Sequence, residues 1–200
     1  AGAEAIVMDD GFQNPSLAKD LALLVVDGEY GLGNGRVFPA GPLREPWQSG
    51  LARADVAILI GDDRVAIELE LRARLPVLRA RFVPAPGAER LAGRDVVAFA
   101  GIGRPEKFFA TLTEMDCRLC ATRSFADHHQ YRELEIMELV NSAANHGATP
   151  VTTAKDAARL TPDMRSLVEV LDVALDWEEE DALARLIAPT LDRPAIRTNG

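Results

Sequence analysis

The sequence has few cysteines and no long hydrophobic segment. Only two cysteines occur in 200 residues, which excludes a small secreted domain held together by disulfides. The longest apolar runs without a charge, such as 21–26 and 56–60, are far shorter than the roughly 20 residues that span a bilayer. The first residues lack the basic flank and apolar stretch of a signal peptide. We therefore expect a soluble chain, or a piece of a chain whose membrane contact lies elsewhere.

The sequence also has fewer basic than acidic residues. The chain has 22 basic and 31 acidic residues, a formal net charge of −9 and a pI near 4.9. General binding to nucleic acid depends on many Lys and Arg side chains that neutralise phosphates, so this function class is excluded. A chain of this charge that acts on phosphates needs a few well-placed cations, backbone amides or a metal ion. Its 48% apolar and 26% charged residues are typical of a folded globular chain.

Short apolar runs alternate with helical stretches along the whole sequence. Several runs are continuously apolar, which is typical of strands covered on both faces and favours a mainly parallel sheet. The alternation predicts an α/β fold with helices on both faces of that sheet. We expect strands at about 5–9, 21–27, 55–60, 76–82, 95–100, 118–125, 149–152 and 169–174, and helices at about 48–53, 65–74, 105–114, 132–145, 155–159 and 177–187.

A change of composition near the middle of the chain indicates a domain boundary. The segment 83–88 reads Val-Pro-Ala-Pro-Gly-Ala, and such proline and glycine punctuation is typical of a connection between lobes. We expect a first domain over residues 1–84 and a second, α/β lobe over residues 85–200.

Two neighbouring acids, Asp9 and Asp10, follow the first predicted strand. Acids at the carboxyl end of a buried strand are typical of a Walker B pair, which binds Mg²⁺ for phosphoryl transfer. Two adjacent carboxylates repel each other, and a divalent cation relieves that repulsion. The alternative is a strand end followed by an Asp-Gly turn with solvated acids.

The glycine-rich segment 28–47 lacks helical or strand periodicity, and loops of this length are usually functional. The Gly-Leu-Gly-Asn-Gly string at 31–35 is not followed by a predicted helix, which excludes both a dinucleotide-binding and a P-loop motif. Further on, Arg44 either binds a phosphate through two hydrogen bonds or pairs with Glu45 or another acid.

Two later segments also have alternative interpretations. Gly101 and Gly103 connect a predicted strand to a predicted helix, which suits either an anion-binding nest or an ordinary tight connection. Asp127 and His128 suit a general base oriented by an acid, a relay with another carboxylate, or a polar turn before a helix. No further cluster of His or Cys completes a metal shell near them.

In their order, these segments resemble the tetraacyldisaccharide 4'-kinase family, the lipid A 4'-kinases of Gram-negative bacteria. The matching strings extend over nearly the whole chain and are Met8-Asp9-Asp10-Gly11-Phe12-Gln13, Gly33-Asn34-Gly35, Pro39-Ala40-Gly41-Pro42-Leu43-Arg44-Glu45, Ala100-Gly101-Ile102-Gly103, Asp127-His128 and Thr152-Thr153-x-Lys155-Asp156. The resemblance implies a transferase of lipid A biosynthesis that uses ATP and Mg²⁺ to phosphorylate the 4'-hydroxyl of a tetraacyldisaccharide 1-phosphate. It also implies a P-loop-kinase-like core, to which residues 1–84 belong, and a smaller α/β lobe over residues 85–200.

The resemblance assigns roles to individual residues. Asp9 and Asp10 correspond to the catalytic acids that bind Mg²⁺, and His128 corresponds to the histidine that assists the catalytic base. The substrate-binding positions that it implies are Gln13, Asn34, Arg44 and Glu45. The implied partner is the lipid A disaccharide precursor rather than a nucleic acid. The implied location is the cytoplasmic face of the bacterial inner membrane, as a peripheral protein.

One part of the family pattern is absent from this sequence. The family's Walker A loop and catalytic aspartate precede the Asp-Asp-Gly string, and no Gly-x-x-x-x-Gly-Lys-[Ser/Thr] string occurs here. We therefore expect the C-terminal part of a longer kinase, with little or no activity alone and with its membrane contact in the missing N-terminal part. The alternative is a non-catalytic α/β module that lost its phosphate loop and binds a nucleotide, a glycolipid or a partner protein.

Overall fold

The computed structural model describes residues 5–191 of the 200-residue chain. Along this range the elements are β1 (Leu23–Asp27), α1 (Trp47–Leu51), β2 (Val56–Ile60), α2 (Glu68–Arg72), β3 (Val77–Pro84), a short 3₁₀ helix (Ala88–Leu91), β4 (Asp95–Ala100), α3 (Pro105–Glu114), β5 (Arg118–Ser124), α4 (Glu133–His146), β6 (Thr149–Thr153), α5 (Ala154–Ala157), α6 (Pro162–Arg165), β7 (Glu169–Leu171), β8 (Val173–Trp177) and α7 (Ala182–Leu191). None of these helices has the length and apolar character needed to cross a membrane.

The described residues form two compact units. The first contains residues 5–82 and 175–191, and the second contains residues 83–174. The division falls inside β3 and again inside β8, so the chain leaves the first unit along one strand and returns along another.

The first unit is built on a four-stranded sheet with the order β1-β2-β3-β8. The strands β1, β2 and β3 are parallel, with Leu23 opposite Val56 and Ala57 opposite Val77. The central strand β2 reads Val-Ala-Ile-Leu-Ile and is almost entirely buried, as a continuously apolar strand requires. Its core also contains Leu51 at the end of α1 and Leu71 of α2. The loop that carries the predicted substrate-binding residues Asn34, Arg44 and Glu45 therefore follows a strand of this parallel sheet.

The second unit contains a fully parallel sheet with the order β5-β4-β6-β7. Successive side chains of a strand point to opposite faces, and β4 shows this directly. Val96, Ala98 and Ala100 pack into a cluster with α3, whereas Val97 and Phe99 pack into a cluster with α4. Helices therefore cover both faces, which confirms the predicted α/β class with a mainly parallel sheet.

Helix α4 begins with a carboxylate that satisfies several donors. Glu135 accepts hydrogen bonds from the Arg132 backbone N–H at 2.9 Å and from the Arg132 guanidinium at 2.9 Å, and His129 Nε2 lies 3.0 Å away. Because the side chain of Arg132 stabilises the charged form most, followed by its backbone N–H and then by His129, the pKa of Glu135 falls to about 2. At its other end α4 stops at Gly147, whose φ of 61° is left-handed.

The first predicted strand, at 5–9, is wrong. These residues form no strand, and the run lies open, with the Val7 side chain 95% exposed. An apolar run becomes a strand only when a neighbour supplies its hydrogen bonds, and no described strand lies beside this one. Asp9 and Asp10 consequently lie in an exposed turn rather than at the end of a buried strand.

The C-terminal part of the second predicted domain also differs from the structure. The predicted strand at 169–174 is two strands, of which β7 joins the second sheet and β8 lies beside β3 in the first. Residues 175–191 therefore belong to the first unit, whereas the sequence predicted one lobe over 85–200. The predicted helix at 177–187 begins only at Ala182, since β8 continues to Trp177.

Truncation of a core side chain should be costly in the second unit. Leu112 of α3 is fully buried in the cluster that includes Val96 and Val151. We expect Leu112→Ala to lower the free energy of unfolding by about 2–5 kcal/mol, because the leucine loses its apolar burial and leaves a cavity. Leu134→Ala, on α4 and 76% exposed, is the matched control and should change stability by less than about 0.5 kcal/mol. Urea unfolding followed by circular dichroism measures both, and equal midpoints for the two variants would contradict this core.

The lowered pKa of Glu135 predicts a pH-dependent contribution to stability. A carboxylate whose pKa is depressed in the folded state stabilises fully above its unfolded value of 4.5, and this contribution is lost as the pH falls toward about 2. Glu135→Gln keeps an acceptor for the Arg132 N–H but has no charge. The difference in urea midpoint between the wild-type chain and Glu135→Gln should therefore be largest near pH 7 and shrink between pH 4.5 and pH 2. A difference that is constant across this range would show that the charge of Glu135 has no effect.

Candidate functional site

Asp10, one of the two acids predicted to bind a metal ion, contacts the predicted substrate-binding residue Arg44. Arg44 donates from Nη1 and Nη2 to the two carboxylate oxygens of Asp10, each at 2.9 Å. Both side chains are more than 60% exposed, so this bidentate pair contributes about 1 kcal/mol or less to stability. Of the two alternatives for Arg44, the structure shows pairing with an acid that is distant in sequence. A weak, exposed pair of this kind can exchange one of its partners for a ligand of the same charge.

The backbone at Asp10 is itself unusual. Its φ is 52°, in the left-handed region that residues other than glycine adopt rarely. The next residue, Gly11, is buried, and a Cβ atom there would lie 2.5 Å from the Cβ of Met8. Glycine is therefore required at position 11. Together these two residues turn the chain and point the Asp10 carboxylate toward Arg44.

A second ion pair holds the rest of the Met8–Gln13 string against the loop. Glu45 accepts from Arg53 at 2.5 and 2.6 Å and from Gln13 Nε2 at 3.0 Å. The hydrogen bond from Arg53 lowers the pKa of Glu45 below its ordinary value. The guanidinium carbon of Arg53 also lies 5.1 Å from the centre of the Phe12 ring. Two predicted substrate-binding residues, Gln13 and Glu45, are thus brought into direct contact.

Asn34 has a different local role. Its side-chain amide donates to the Ala40 carbonyl at 2.8 Å, and its oxygen accepts the Arg36 N–H at 3.1 Å. A Cβ atom on Gly41 would lie 2.1 Å from that same oxygen, so the loop closes only with glycine at position 41. Asn34 therefore braces the loop that ends at Arg44.

The fit of Asp9 and Asp10 to a metal ion depends on the kind of site. Within residues 5–191 no three His, Cys, Asp or Glu side chains come together as metal ligands. Mg²⁺ keeps several waters and commonly binds one or two carboxylates together with substrate phosphates. Both acids are exposed and offer the oxygen donors that such a site needs. They fit an ion shared with a phosphate, although a metal bound at Asp10 competes with Arg44 for the same oxygens.

The second unit carries the predicted histidine on a loop after β5. His128 has a left-handed φ of 60°, and its backbone N–H donates to the Gly101 carbonyl at 3.1 Å. Its ring is exposed, with Nε2 lying 3.7 Å from the Asp127 carboxylate and Nδ1 lying 3.2 Å from Arg159. The loop passes so close to Gly101 that a Cβ atom there would lie 3.1 Å from the Ala126 carbonyl oxygen. The glycine after β4 thus allows the histidine loop to approach.

The Thr152-Thr153-x-Lys155-Asp156 string spans the end of β6 and the start of α5, and it organises the same region. Asp156 is fully buried, whereas Lys155 is exposed. The Asp156 carboxylate accepts from the Gly101 N–H at 3.1 Å, from the Thr153 hydroxyl at 2.7 Å and from Arg159 at 3.1 Å. Burial, with the nearby negative charge of Asp156 as a second cause, raises the pKa of Tyr131 far above its ordinary value.

His129, next to His128, has a structural environment. Its ring stacks on Phe125 at 4.7 Å and its Nε2 lies 3.0 Å from Glu135. A side chain held on both sides by the fold is less available to a ligand than the exposed ring of His128.

The structure brings together some of the predicted residues and adds others. Asp10 contacts Arg44, and Gln13 contacts Glu45, all in the first unit, while His128 belongs to the second. The sequence analysis missed Arg53, which holds Glu45, and Arg159, which contacts His128. Arg159 follows the Thr-Thr-x-Lys-Asp string by three residues, and this proximity to a recognised string was the available signal. Arg53 lies eight residues after Glu45 and outside every recognised string.

Comparison with known proteins identifies relatives over nearly the whole chain. The model for the family described as tetraacyldisaccharide-1-P 4'-kinase matches residues 1–192. The tetraacyldisaccharide 4'-kinase of Rhodospirillum rubrum is 57% identical over 191 residues, which cover 94% of this chain and 58% of that protein. The corresponding protein of Rhodospirillum centenum is 55% identical over 192 residues, which cover 96% of this chain and 57% of that protein. The chain thus spans less than two thirds of the length of these curated relatives.

A solved structure shows the same fold. It is the crystal structure of an "apo" form of LpxK from Aquifex aeolicus in complex with ATP, with a TM-score of 0.62 and 25% sequence identity. The similarity covers 90% of this chain and 56% of that one. Since the family match includes all of the strings discussed above, this chain belongs to the tetraacyldisaccharide-1-P 4'-kinase family.

Proposed function

We propose that this chain supplies part of the active site of a tetraacyldisaccharide 4'-kinase. Its family membership supports this activity, and the observation that carries it is the exposed bidentate pair between Asp10 and Arg44. A phosphoryl-transfer site needs acids for a metal ion and a cation for phosphate oxygens at the same place. Asp9, Asp10 and Arg44 supply these opposite charges side by side on an accessible surface.

The proposed reaction joins the 4'-hydroxyl of the disaccharide to the terminal phosphoryl group of ATP. The hydroxyl oxygen forms a bond to the γ-phosphorus, the bond to the β,γ-bridging oxygen breaks, and ADP leaves. The hydroxyl proton passes to a carboxylate base. Because little covalent chemistry falls to the protein, positioning and charge stabilisation supply most of the catalysis.

Asp9 and Asp10 are the residues that would hold Mg²⁺. Mg²⁺ held there would supply positive charge against the charge that develops on the transferring phosphoryl group. With Asp10 engaged in this way, the guanidinium of Arg44 would be available to a phosphate oxygen. Arginine suits this exchange because its planar fork matches carboxylate and phosphate alike.

The neighbouring residues would define the side that receives the disaccharide. Asn34 keeps the loop closed through Ala40, and the hydrogen bonds of Gln13 and Arg53 fix the Glu45 carboxylate. A fixed carboxylate and amide at this position suit the hydroxyl groups of a sugar. His128 would act with the carboxylate base, by donating a hydrogen bond that keeps that base oriented.

The substrate class also bears on where the protein works. A tetraacylated disaccharide is held in a membrane by its acyl chains, so its kinase must meet it at a membrane surface. We place the protein at the cytoplasmic face of the bacterial inner membrane, as a peripheral protein, because ATP is available on that side.

The activity is best tested in a chimera. The part of the Rhodospirillum rubrum relative that its match to this chain leaves out is joined to this chain, and transfer of radiolabelled γ-phosphate to the disaccharide is measured beside the chain alone. We expect the chimera to be active and to require Mg²⁺, and the chain alone to be inactive. A folded chimera without transfer activity would favour the alternative, a non-catalytic binding module.

Single substitutions in the chimera test the assigned roles. We expect Asp10→Asn and His128→Ala each to lower kcat/KM by roughly 100-fold or more, because one removes a ligand of the metal ion and the other a partner of the base. Asp20→Asn and His146→Ala are the matched controls, since neither residue belongs to the proposed site. Asp10→Asn should change the urea midpoint very little, because its ion pair is exposed. Activity within threefold of wild type in both site variants would defeat the assignment.

A further inference from the structure

Arg159 lies between a buried acid and the exposed ring of His128. From one side of its guanidinium, Nη1 donates to the Gly101 carbonyl at 3.0 Å and to Asp156 at 3.1 Å. From the other side, Nη2 lies 3.2 Å from Nδ1 of His128. The Arg159 side chain is only 13% exposed, so its position is set by the fold rather than by solvent.

The buried carboxylate determines where the guanidinium lies. Asp156 has no exposed surface, and a buried carboxylate requires donors and a compensating positive charge. The Gly101 N–H and the Thr153 hydroxyl supply neutral donors, and Arg159 supplies the charge. Because arginine has a rigid planar fork, fixing one end of it on Asp156 also fixes the direction of Nη2.

The contact with His128 determines where the proton of the imidazole ring lies. A guanidinium has only donors, so Nδ1 of His128 must offer its lone pair to Nη2. A neutral imidazole then carries its proton on Nε2. We propose that Arg159, anchored on Asp156, is a positioning residue that holds His128 as the Nε2–H tautomer with its ring in a fixed orientation.

The backbone of the same loop supports this arrangement. The N–H of His128 donates to the Gly101 carbonyl, the same oxygen that accepts from Arg159 Nη1. The backbone and ring of His128 are therefore both attached to one group of atoms at the end of β4. The ring cannot turn over to present Nδ1 outward without losing the contact with Arg159.

The consequence for catalysis rests on the proposed kinase function of His128. With its proton on Nε2, the ring presents a donor to the side that also carries the Asp127 carboxylate, 3.7 Å away. The carboxylate base that the family resemblance implies precedes Asp9 and is therefore not Asp127. An Nε2–H would donate a hydrogen bond to that base and orient its oxygens toward the substrate proton. The opposite tautomer would present a lone pair there and repel the same carboxylate.

The tautomer is measured directly by long-range ¹H–¹⁵N correlation spectra of the ¹⁵N-labelled 200-residue chain. The Nδ1 and Nε2 shifts of a ring show which nitrogen carries the proton, and His128→Gln assigns the signals. We expect His128 of the wild-type chain to be the Nε2–H tautomer, and both Arg159→Ala and Arg159→Lys to shift it toward a mixture. Lysine keeps a cation beside Asp156 but lacks the fork that reaches the ring.

Arg165→Ala removes an exposed arginine of the same unit and is the matched control. Thermal unfolding shows which variants remain folded, and Arg159→Lys keeps the test available if Arg159→Ala unfolds. The proposal is overturned if wild-type His128 carries its proton on Nδ1. It is equally overturned if a folded Arg159 variant keeps the wild-type tautomer.

A kinetic measurement in the chimera adds the functional consequence. Because the His128 ring loses its fixed orientation in Arg159→Ala and Arg159→Lys, we expect these variants of the chimera to have a kcat that is lower by up to roughly 100-fold. The KM for the disaccharide should change little. A fall in kcat together with the tautomer shift supports the full proposal. An inactive wild-type chimera would count against the kinase function alone, since the spectra report the positioning independently.

Discussion

The buried carboxylate of Asp156 connects the carboxyl ends of two neighbouring parallel strands. It follows β6 and accepts the N–H of Gly101, which follows β4. A carboxylate taken out of water costs several kcal/mol unless it is paired and hydrogen-bonded, so the donors around it cannot be arranged freely. Gly101 in turn accepts from His128 and from Arg159. The requirement to satisfy one buried charge therefore determines the shape of the loop that presents the histidine.

The first unit reaches its geometry by a different route. Its ion pairs, Asp10 with Arg44 and Glu45 with Arg53, are much more exposed and individually weak. The loop is shaped instead by positions where only glycine fits, such as Gly11 and Gly41. A loop closed by backbone packing leaves the exposed pair of Asp10 and Arg44 free to change partners. In the proposed reaction, such an exchange would let Arg44 leave Asp10 for a phosphate oxygen.

Patterns that act over short distances predicted most of the fold and suggested the residues of the proposed site. Continuously apolar runs indicated β2 and β4 as central parallel strands, and the Asp-Asp-Gly and Asp-His strings indicated the acids and the histidine. The failures concern partners that are far apart in sequence. The run at 5–9 is as apolar as a strand but has no described neighbour, and β8 joins β3 rather than β7. Arg159 follows His128 by 31 residues, so no local pattern connects the two.

Asp10 and His128 both have a left-handed backbone conformation, although neither is a glycine. Among the described residues, the others with positive φ that are not glycine are Ala66 and Asp116. Asp116 follows the end of α3, where glycine is the usual residue, and the proposed function assigns no role to its side chain. Glycine would also relieve the backbone at Asp10 and His128, at a gain of order 1 kcal/mol, but it would remove the carboxylate and the imidazole. The family resemblance assigns catalytic roles to Asp10 and His128, and in the proposed function these roles account for a carboxylate and an imidazole at positions whose backbone favours glycine.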